Sequence, residues 1–137
     1  MRRLALAAAA LAVVSGCGLN PTSGESSGTG PATKVTITVK TDADAKPRVM
    51  RLECDPVGGD HPNAEAACDA LAKAAPQIFA PLPKDQVCTM IYGGPQTATI
   101  EGTYDGEAVD AAFDRANGCE IDRWDQLGTE VFDVPLQ

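Results

Sequence analysis

The sequence predicts an α+β fold in which a five-stranded antiparallel sheet packs against two helices as a two-layer sandwich. Short runs of alternating apolar and polar residues indicate half-buried strands. An apolar stripe with spacings of three and four indicates an amphipathic helix. Four cysteines downstream of an export signal predict two disulfides. The chain has 137 residues. Without the signal and the linker after it, roughly 105 residues remain, enough for one small domain that disulfides would help to stabilise.

The first sixteen residues have the pattern of a bacterial signal peptide. Arg2 and Arg3 precede an unbroken apolar run, Leu4 to Val14. A membrane-spanning helix needs about twenty such residues, so this shorter run matches the apolar region of a signal peptide. The run leads into Ser15-Gly16-Cys17, which resembles a lipobox, so Cys17 is predicted to be the lipidated first residue of the mature protein. A plain A-x-A cleavage site is the alternative, and none is well placed.

The predicted organisation therefore has three parts. Residues 1–16 are the signal peptide with its lipobox, and residues 17–33 are the lipidated cysteine and a flexible tether rich in Gly, Ser, Thr and Pro. Residues 34–137 form the folded domain. This organisation predicts a protein that is secreted or lipid-anchored at the outer face of the cell membrane, with the lipid as its only membrane contact.

The charge excludes some partners. The net charge is −8, and loss of Arg2 and Arg3 with the signal peptide makes the mature form more acidic. Nucleic-acid-binding proteins carry clustered Lys and Arg, so a nucleic-acid partner is not expected. The same acidity argues against docking on anionic lipid headgroups.

The cysteines provide the covalent framework. Beyond Cys17 the chain contains Cys54, Cys68, Cys88 and Cys119, which allow three pairings. Locality favours Cys54–Cys68 and Cys88–Cys119, and each bridge would contribute about 3–4 kcal/mol in the chain-entropy model. A zinc site is disfavoured because there is no C-x2-C pair and the compartment is oxidising. No metal and no cofactor are expected.

The first half of the domain is predicted to contain a hairpin and a helix. Thr33–Thr41 and Arg48–Cys54 alternate as two antiparallel strands, and residues 55–60 form a loop. Pro62 precedes an amphipathic helix over Asn63–Ala75, which directs Cys68 toward the core.

The second half begins with an irregular, proline-containing segment, residues 76–86. After it we expect an extended segment, Val87–Tyr92, and then a hairpin of Thr97–Tyr104 and Glu107–Phe113 that turns at Asp105-Gly106. The last two expected elements are a helix over Gly118–Leu127, capped by Asn117, and a strand over Glu130–Val134.

The segment from Val87 to Pro95 carries the functional signal. Met90, Ile91 and Tyr92 closely follow Cys88, and a Gly-Gly-Pro sequence then breaks the chain. A protease-binding loop needs an extended segment of this kind, anchored by a disulfide and carrying apolar side chains at its tip. The alternative is a buried edge strand that ends in a turn, and the residue pattern alone favours that alternative.

Several motifs in this order resemble the streptomycete-type subtilisin-inhibitor family, over roughly Lys34 to Val134. They are Cys54, Gly59-Asp60-His61-Pro62, Cys68, Cys88-Thr89-Met90-Ile91-Tyr92, Gly102-Thr103-Tyr104-Asp105-Gly106, and Phe113 with Arg115, Asn117, Cys119 and Glu120. The resemblance implies five antiparallel strands covered by two helices, the two local disulfides and a homodimer. It also implies inhibition of serine proteases, with Met90–Ile91 as the reactive bond.

The function predicted from this resemblance is exported, substrate-like inhibition. Val87, Cys88, Thr89 and Tyr92 would contact the protease, and Met90 would fill its primary pocket. An uncharged thioether suits an apolar pocket, so a subtilisin-like or chymotrypsin-like endopeptidase is the expected partner.

The chain departs from the family pattern at Thr89, where proline is frequent, and at Gly93-Gly94, which we expect to loosen the far side of the loop. The alternative function is a non-inhibitory cell-surface lipoprotein, a binding or structural module with the same fold. An enzyme is not expected, because His61 is the only histidine and no catalytic arrangement accompanies it.

Overall fold

A computed structural model describes residues 31–135. Within them a five-stranded antiparallel sheet has the order β3-β2-β1-β4-β5, and two helices cover one face. The elements are β1 Thr33–Lys40, β2 Arg48–Cys54, β3 Gly58–Gly59, α1 Ala64–Ala74, a 3-10 turn Gln77–Phe79, β4 Thr97–Tyr104, β5 Glu107–Phe113 and α2 Gly118–Phe132. The predicted signal peptide, Cys17 and most of the predicted tether lie outside the described residues. The predicted α+β fold class is confirmed.

The sheet is built around β1, which pairs with β2 on one side and β4 on the other. Ile37 lies opposite Met50 of β2 and opposite Ile100 of β4. Because side chains alternate across a strand, Val35, Ile37 and Val39 all point to the same face and are buried. The alternation read from the sequence therefore identified this strand and its inner face, and the structure places it at the centre of the sheet.

The two helices close the core over that face. Ala67 and Leu71 of α1 are buried, one turn apart. From α2, Trp124 and Phe132 are fully buried, with their ring centroids 4.3 Å apart. Helix stripes with spacings of three and four face the sheet, so each helix covers apolar surface that the strands alone would leave in water.

The C-terminal element differs from the prediction of a strand at Glu130–Val134. Helix α2 continues to Phe132 across a kink at Gly128, whose φ is 58°. The non-helical backbone of Gly128 redirects the chain into a further short helical turn, in which Val131 and Phe132 are both buried in the core. Side chains from elsewhere then bind the last carbonyls: Arg48 donates to the oxygen of Phe132 at 3.1 Å.

The fifth strand of the sheet is β3, which lies within the predicted loop of residues 55–60. It is two residues long and pairs with β2 through Leu52 opposite Gly59. The predicted number of strands is thus confirmed, whereas the predicted fifth strand is wrong. Two glycines show no alternation, so the sequence carried no strand signal there.

Both disulfides follow the pairing that locality favoured. Cys54–Cys68 joins β2 to α1 with Cα atoms 5.8 Å apart. Cys88–Cys119 joins the irregular segment after the 3-10 turn to the first turn of α2. Among residues 31–135, no helix has the length and apolar character that a membrane span requires.

Candidate functional site

Residues Val87–Tyr92, hereafter the exposed loop, project from the scaffold without helix or strand structure. The exposed fractions of Val87, Met90, Ile91 and Tyr92 are 95, 93, 61 and 68%. Single exposed apolar residues are ordinary, but four among six consecutive residues form an apolar patch that indicates an interaction site. The buried edge strand that the residue pattern favoured is therefore wrong, since these side chains face solvent.

The N-terminal side of the loop is fixed to α2 by a covalent bond and a hydrogen bond. The Cα atoms of Cys88 and Cys119 lie 5.4 Å apart across the disulfide. One residue further on, the carbonyl oxygen of Thr89 accepts a hydrogen bond from the backbone N–H of Gly118 at 2.9 Å. A Cβ atom at position 118 would collide with the Thr89 side chain. Glycine at 118 is therefore required for this close approach.

The C-terminal side of the loop is fixed by Arg115. The N–H of Gly93 donates to the carbonyl oxygen of Arg115 at 2.8 Å. In return, the Nε of Arg115 donates to the carbonyl oxygen of Gly93 at 3.0 Å. A Cβ at Gly93 would lie 2.8 Å from the Cδ1 of Ile121. The loosening was expected of Gly93-Gly94 together; at Gly93 the structure instead shows that the missing side chain lets this residue dock against Ile121 of α2.

Arg115 is itself held in place. Only 11% of its side chain is exposed, and its Nη1 donates to the Oδ1 of Asp125 at 2.9 Å. Its guanidinium carbon lies 5.9 Å from the ring centroid of Trp124, within the range of a cation–π interaction. A charged group bound on several sides has little rotamer freedom left to lose, so it forms a rigid donor for the loop.

The two anchors leave three residues unsupported between them. Met90, Ile91 and Tyr92 span the gap between Thr89, bound to Gly118, and Gly93, bound to Arg115. The peptide bond between Met90 and Ile91 is thus presented on a short arch, with one end bound to the first residue of α2 and the other to Arg115, three residues earlier. Such an arch can enter a cleft while its ends remain fixed.

The remaining predicted loop residues, Thr89 and Cys88, flank Met90 on its N-terminal side. Thr89 is exposed beside Met90, and Cys88 is partly buried at the base of the loop. Arg115 and Gly118 were not predicted as part of the site. Asn117 gave a signal for this region, since its predicted cap is present: its Oδ1 accepts from the N–H of Glu120 at 3.0 Å.

His61 and Tyr104, two titratable residues outside the loop, lie in contacts that belong to the fold. His61 is buried, and its Nε2 lies 2.9 Å from the carbonyl oxygen of Val131, near the end of α2. Burial raises the pKa of Tyr104 above its ordinary value, and the charges of Asp105 and Asp55 raise it further. Within residues 31–135, no group of three or more His, Cys, Asp or Glu side chains is arranged to hold a metal ion.

The fold and the site define a small α+β scaffold with two disulfides that presents one anchored apolar loop. Comparison with known proteins gives the family. Residues 30–117 match the model of the subtilisin inhibitor-like family. Subtilisin inhibitor-like protein 1 of Streptomyces cacaoi is 41% identical over 87 residues, which are 60% of this chain and 76% of that protein.

Two further proteins are similar. Subtilisin inhibitor of Streptomyces violaceus is 33% identical over 136 residues, covering 88% of this chain and 92% of that protein. Sermetstatin of Streptomyces caespitosus, in a crystal structure with Bacillus licheniformis subtilisin, is 25% identical with a TM-score of 0.47. That match covers 74% of this chain and 97% of the other. The chain belongs to the subtilisin inhibitor-like family.

Proposed function

We propose that this protein is an exported inhibitor of serine endopeptidases and that Met90–Ile91 is its reactive bond. The observation that carries the proposal is the position of Met90, 93% exposed on an arch with one end bound to Gly118 of α2 and the other to Arg115, just before α2. The relatives with the highest identity reported above are named as subtilisin inhibitors or as similar to them. This function requires no cofactor.

Binding would begin as for a substrate. Val87 to Tyr92 lie outside the sheet, so their backbone, apart from the Thr89 carbonyl bound to Gly118, can pair with the edge of a protease cleft, as in strand addition. The side chain of Met90 would enter the primary pocket, and full burial of such a side chain contributes about 1.5–3 kcal/mol. Because the loop is already ordered by its anchors, little conformational entropy remains to be lost on binding.

The pocket chemistry selects the class of protease. Met90 carries no charge, so it gains little from the acidic pocket of a trypsin-like enzyme. An unbranched thioether adapts well to an apolar slot. The expected partner is a subtilisin-like or chymotrypsin-like enzyme, with Val87, Thr89 and Tyr92 as further contacts and Cys88 at the base of the loop.

Titration tests the proposal directly. Purified protein is titrated against subtilisin, chymotrypsin and trypsin, with residual activity on a small substrate as the readout. We expect near-stoichiometric inhibition of subtilisin or chymotrypsin and a strong loss of inhibition in Met90→Ala. Val57→Ala is the matched control, because Val57 is an exposed apolar residue outside the loop. Full activity of all three proteases in excess inhibitor would leave the non-inhibitory binding or structural module as the function.

Export, lipid attachment at Cys17 and formation of a homodimer are parts of the same proposal. The lipobox-like sequence before Cys17 supports attachment, and the acidic charge agrees with a surface that does not bind anionic lipid. Mass spectrometry of the protein isolated from its host tests the lipid: we expect the mass of a lipidated Cys17, which Cys17→Ala abolishes. Sedimentation of the mature domain tests the dimer.

A further inference from the structure

We propose that Arg115 is a positioning residue that holds the chain after the Met90–Ile91 bond on α2 both before and after that bond is cut. This proposal rests on the proposed function and deepens it. It assigns to Arg115 the step that separates an inhibitor from a substrate, namely the retention of the newly formed amine beside the acylated protease.

The loop is anchored asymmetrically. On the N-terminal side, the disulfide of Cys88 is two residues from Met90 and needs no further support. On the C-terminal side, the fixed point nearest to Ile91 is Gly93, and its contacts with α2 and with the chain just before it are noncovalent. Retention of the cut C-terminal side near the reaction centre therefore depends on the hold on Gly93.

That hold consists of a reciprocal pair of hydrogen bonds and a close steric fit. Gly93 donates its N–H to the carbonyl oxygen of Arg115 and accepts from the Nε of the same residue. The second bond is charge-assisted and comes from a largely buried guanidinium, so it is stronger than a bond between neutral groups. Ile121 closes the space over the Cα of Gly93.

The guanidinium is fixed independently of the loop. Asp125 binds its Nη1 from the exposed face of α2, and Trp124 lies beneath it. Because both partners belong to α2, cutting the loop at Met90–Ile91 removes neither of them. Arg115 therefore keeps its position on α2 in the cleaved protein, and Gly93 stays bound to it.

The two competing reactions of the acylated protease show what binding of Gly93 by Arg115 achieves. The protease serine attacks the carbonyl carbon of Met90, the C–N bond to Ile91 breaks, and the Ile91 nitrogen leaves as an amine with a proton from the protease's general acid. Attack of that amine on the ester re-forms the peptide bond and returns the proton to the serine oxygen. Attack of water instead gives the Met90 carboxylate and frees the enzyme. A tethered amine has a high effective concentration, so re-formation outruns hydrolysis.

The experiment compares Arg115→Met with Arg123→Met in the purified protein. Arg123 is the other buried arginine among residues 31–135 and binds the carbonyl oxygen of Ile78 at 2.9 Å, not the loop. Each variant is incubated with a catalytic amount of subtilisin, and cleavage at Met90–Ile91 is followed by mass spectrometry. We expect the cleaved fraction of Arg115→Met to accumulate about tenfold to a hundredfold faster than in the parent protein. Arg123→Met should resemble the parent protein once matched for folded fraction.

A second measurement separates positioning from general instability. The equilibrium ratio of cleaved to intact protein, approached from both sides, should rise in Arg115→Met and fall back partly in Arg115→Lys. Asp125→Ala removes only a half-exposed partner of Arg115, so it leaves the core intact and should shift the ratio in the same direction. An Arg115→Met protein that stays as uncut as the parent protein overturns the proposal, as does an equal effect of Arg123→Met.

Failure of the proposed function has a different signature. If the parent protein does not inhibit any of the three proteases, hydrogen exchange of the Gly93 amide still measures how firmly Arg115 holds Gly93. We expect at least about tenfold faster exchange of this amide in Arg115→Met than in the parent protein. The backbone carbonyl of residue 115 still accepts the Gly93 N–H in this variant, so unchanged exchange would show that the Arg115 side chain does not hold Gly93, whether or not the protein is an inhibitor.

Discussion

The backbone nitrogen of Gly118 lies 2.9 Å from the carbonyl oxygen of Thr89, next to the disulfide that joins Cys88 to Cys119. The first residue of α2 thus binds the residue that directly precedes Met90. The helix start carries unpaired N–H groups, and one of them is used here to fix the loop. The position of the apolar tip is therefore set by the helix rather than by the sheet.

We expect Gly118→Ala to displace the loop. The new Cβ collides with the Thr89 side chain, so the hydrogen bond to Thr89 lengthens and inhibition weakens by about tenfold, the equivalent of roughly 1.4 kcal/mol. Inhibition constants for subtilisin, measured in a double-mutant cycle with Thr89→Ala, check this result. The second change removes the colliding hydroxyl and should restore part of the affinity. Additive losses in the double variant would contradict the steric explanation.

We expect Met90→Lys to transfer inhibition toward trypsin. A lysine ammonium pairs with the acidic primary pocket of a trypsin-like enzyme, which a thioether does not. The ratio of the inhibition constants for trypsin and subtilisin should change by roughly a hundredfold or more. Lys84, which is already present and exposed in the preceding irregular segment, serves as the reference, since Lys84→Met should leave the ratio unaltered. No change of preference in Met90→Lys would place the reactive bond elsewhere.

Removal of the Cys88–Cys119 bridge should turn the inhibitor into a substrate. In Cys88→Ala/Cys119→Ala the loop loses its covalent anchor, so we expect rapid cleavage at Met90–Ile91 in gel-based time courses. Cys54→Ala/Cys68→Ala is the matched control, since that bridge lies between β2 and α1. Each double variant should lose about 3–4 kcal/mol of unfolding free energy. Only the first should be cut faster when both are studied at a temperature where they stay folded.

The stability of the protein should fall at alkaline pH because of Tyr104. Its pKa is raised in the folded state, mainly by burial, so the folded protein prefers the neutral phenol. The unfolding free energy is then unaffected below the ordinary tyrosine pKa of about 10 and falls as the pH rises from there through the folded-state pKa. Tyr104→Phe should flatten this part of the curve in denaturant titrations.

The same titration can be observed spectroscopically. The chain has two tyrosines, so Tyr92→Phe leaves Tyr104 as the only phenol. Its ultraviolet absorbance change should have a midpoint above the model-compound value and a normal midpoint after unfolding. A midpoint of about 10 in the folded variant would rule out the burial effect.

Much of the scaffold was predictable because its signals are local. The alternation of Val35, Ile37 and Val39 defined the central strand, and the Asp105-Gly106 pair defined the β4–β5 turn. The end of α2 was not predictable in the same way. Val131 and Phe132 fit a short strand as well as a helix, and the choice depends on contacts with Trp124 and with Phe113 and Arg48, the last two from other elements.

The exposed residues of the candidate site were predicted from the sequence, whereas the residues that hold the loop in place were not. Met90 and Ile91 were identified from their position after Cys88 and from the family resemblance. Arg115 was among the residues that carry the family resemblance, but its contact with the loop was not predicted, since an isolated arginine after a strand is usually solvated. Gly93 was misread as a source of flexibility, because its contact with Ile121 exists only in three dimensions.

By itself the sequence determined the strands with clear alternation, the two helices, the acidic charge and a cysteine set whose local pairing proved correct, because these follow from periodicity and composition along a short stretch of chain. Only the tertiary structure decided that the segment after Cys88 stands in solvent rather than in the sheet. That decision depends on contacts between residues 89 and 118 and between residues 93 and 115. Their energies arise when α2 folds onto the sheet, and no pattern within either segment encodes them.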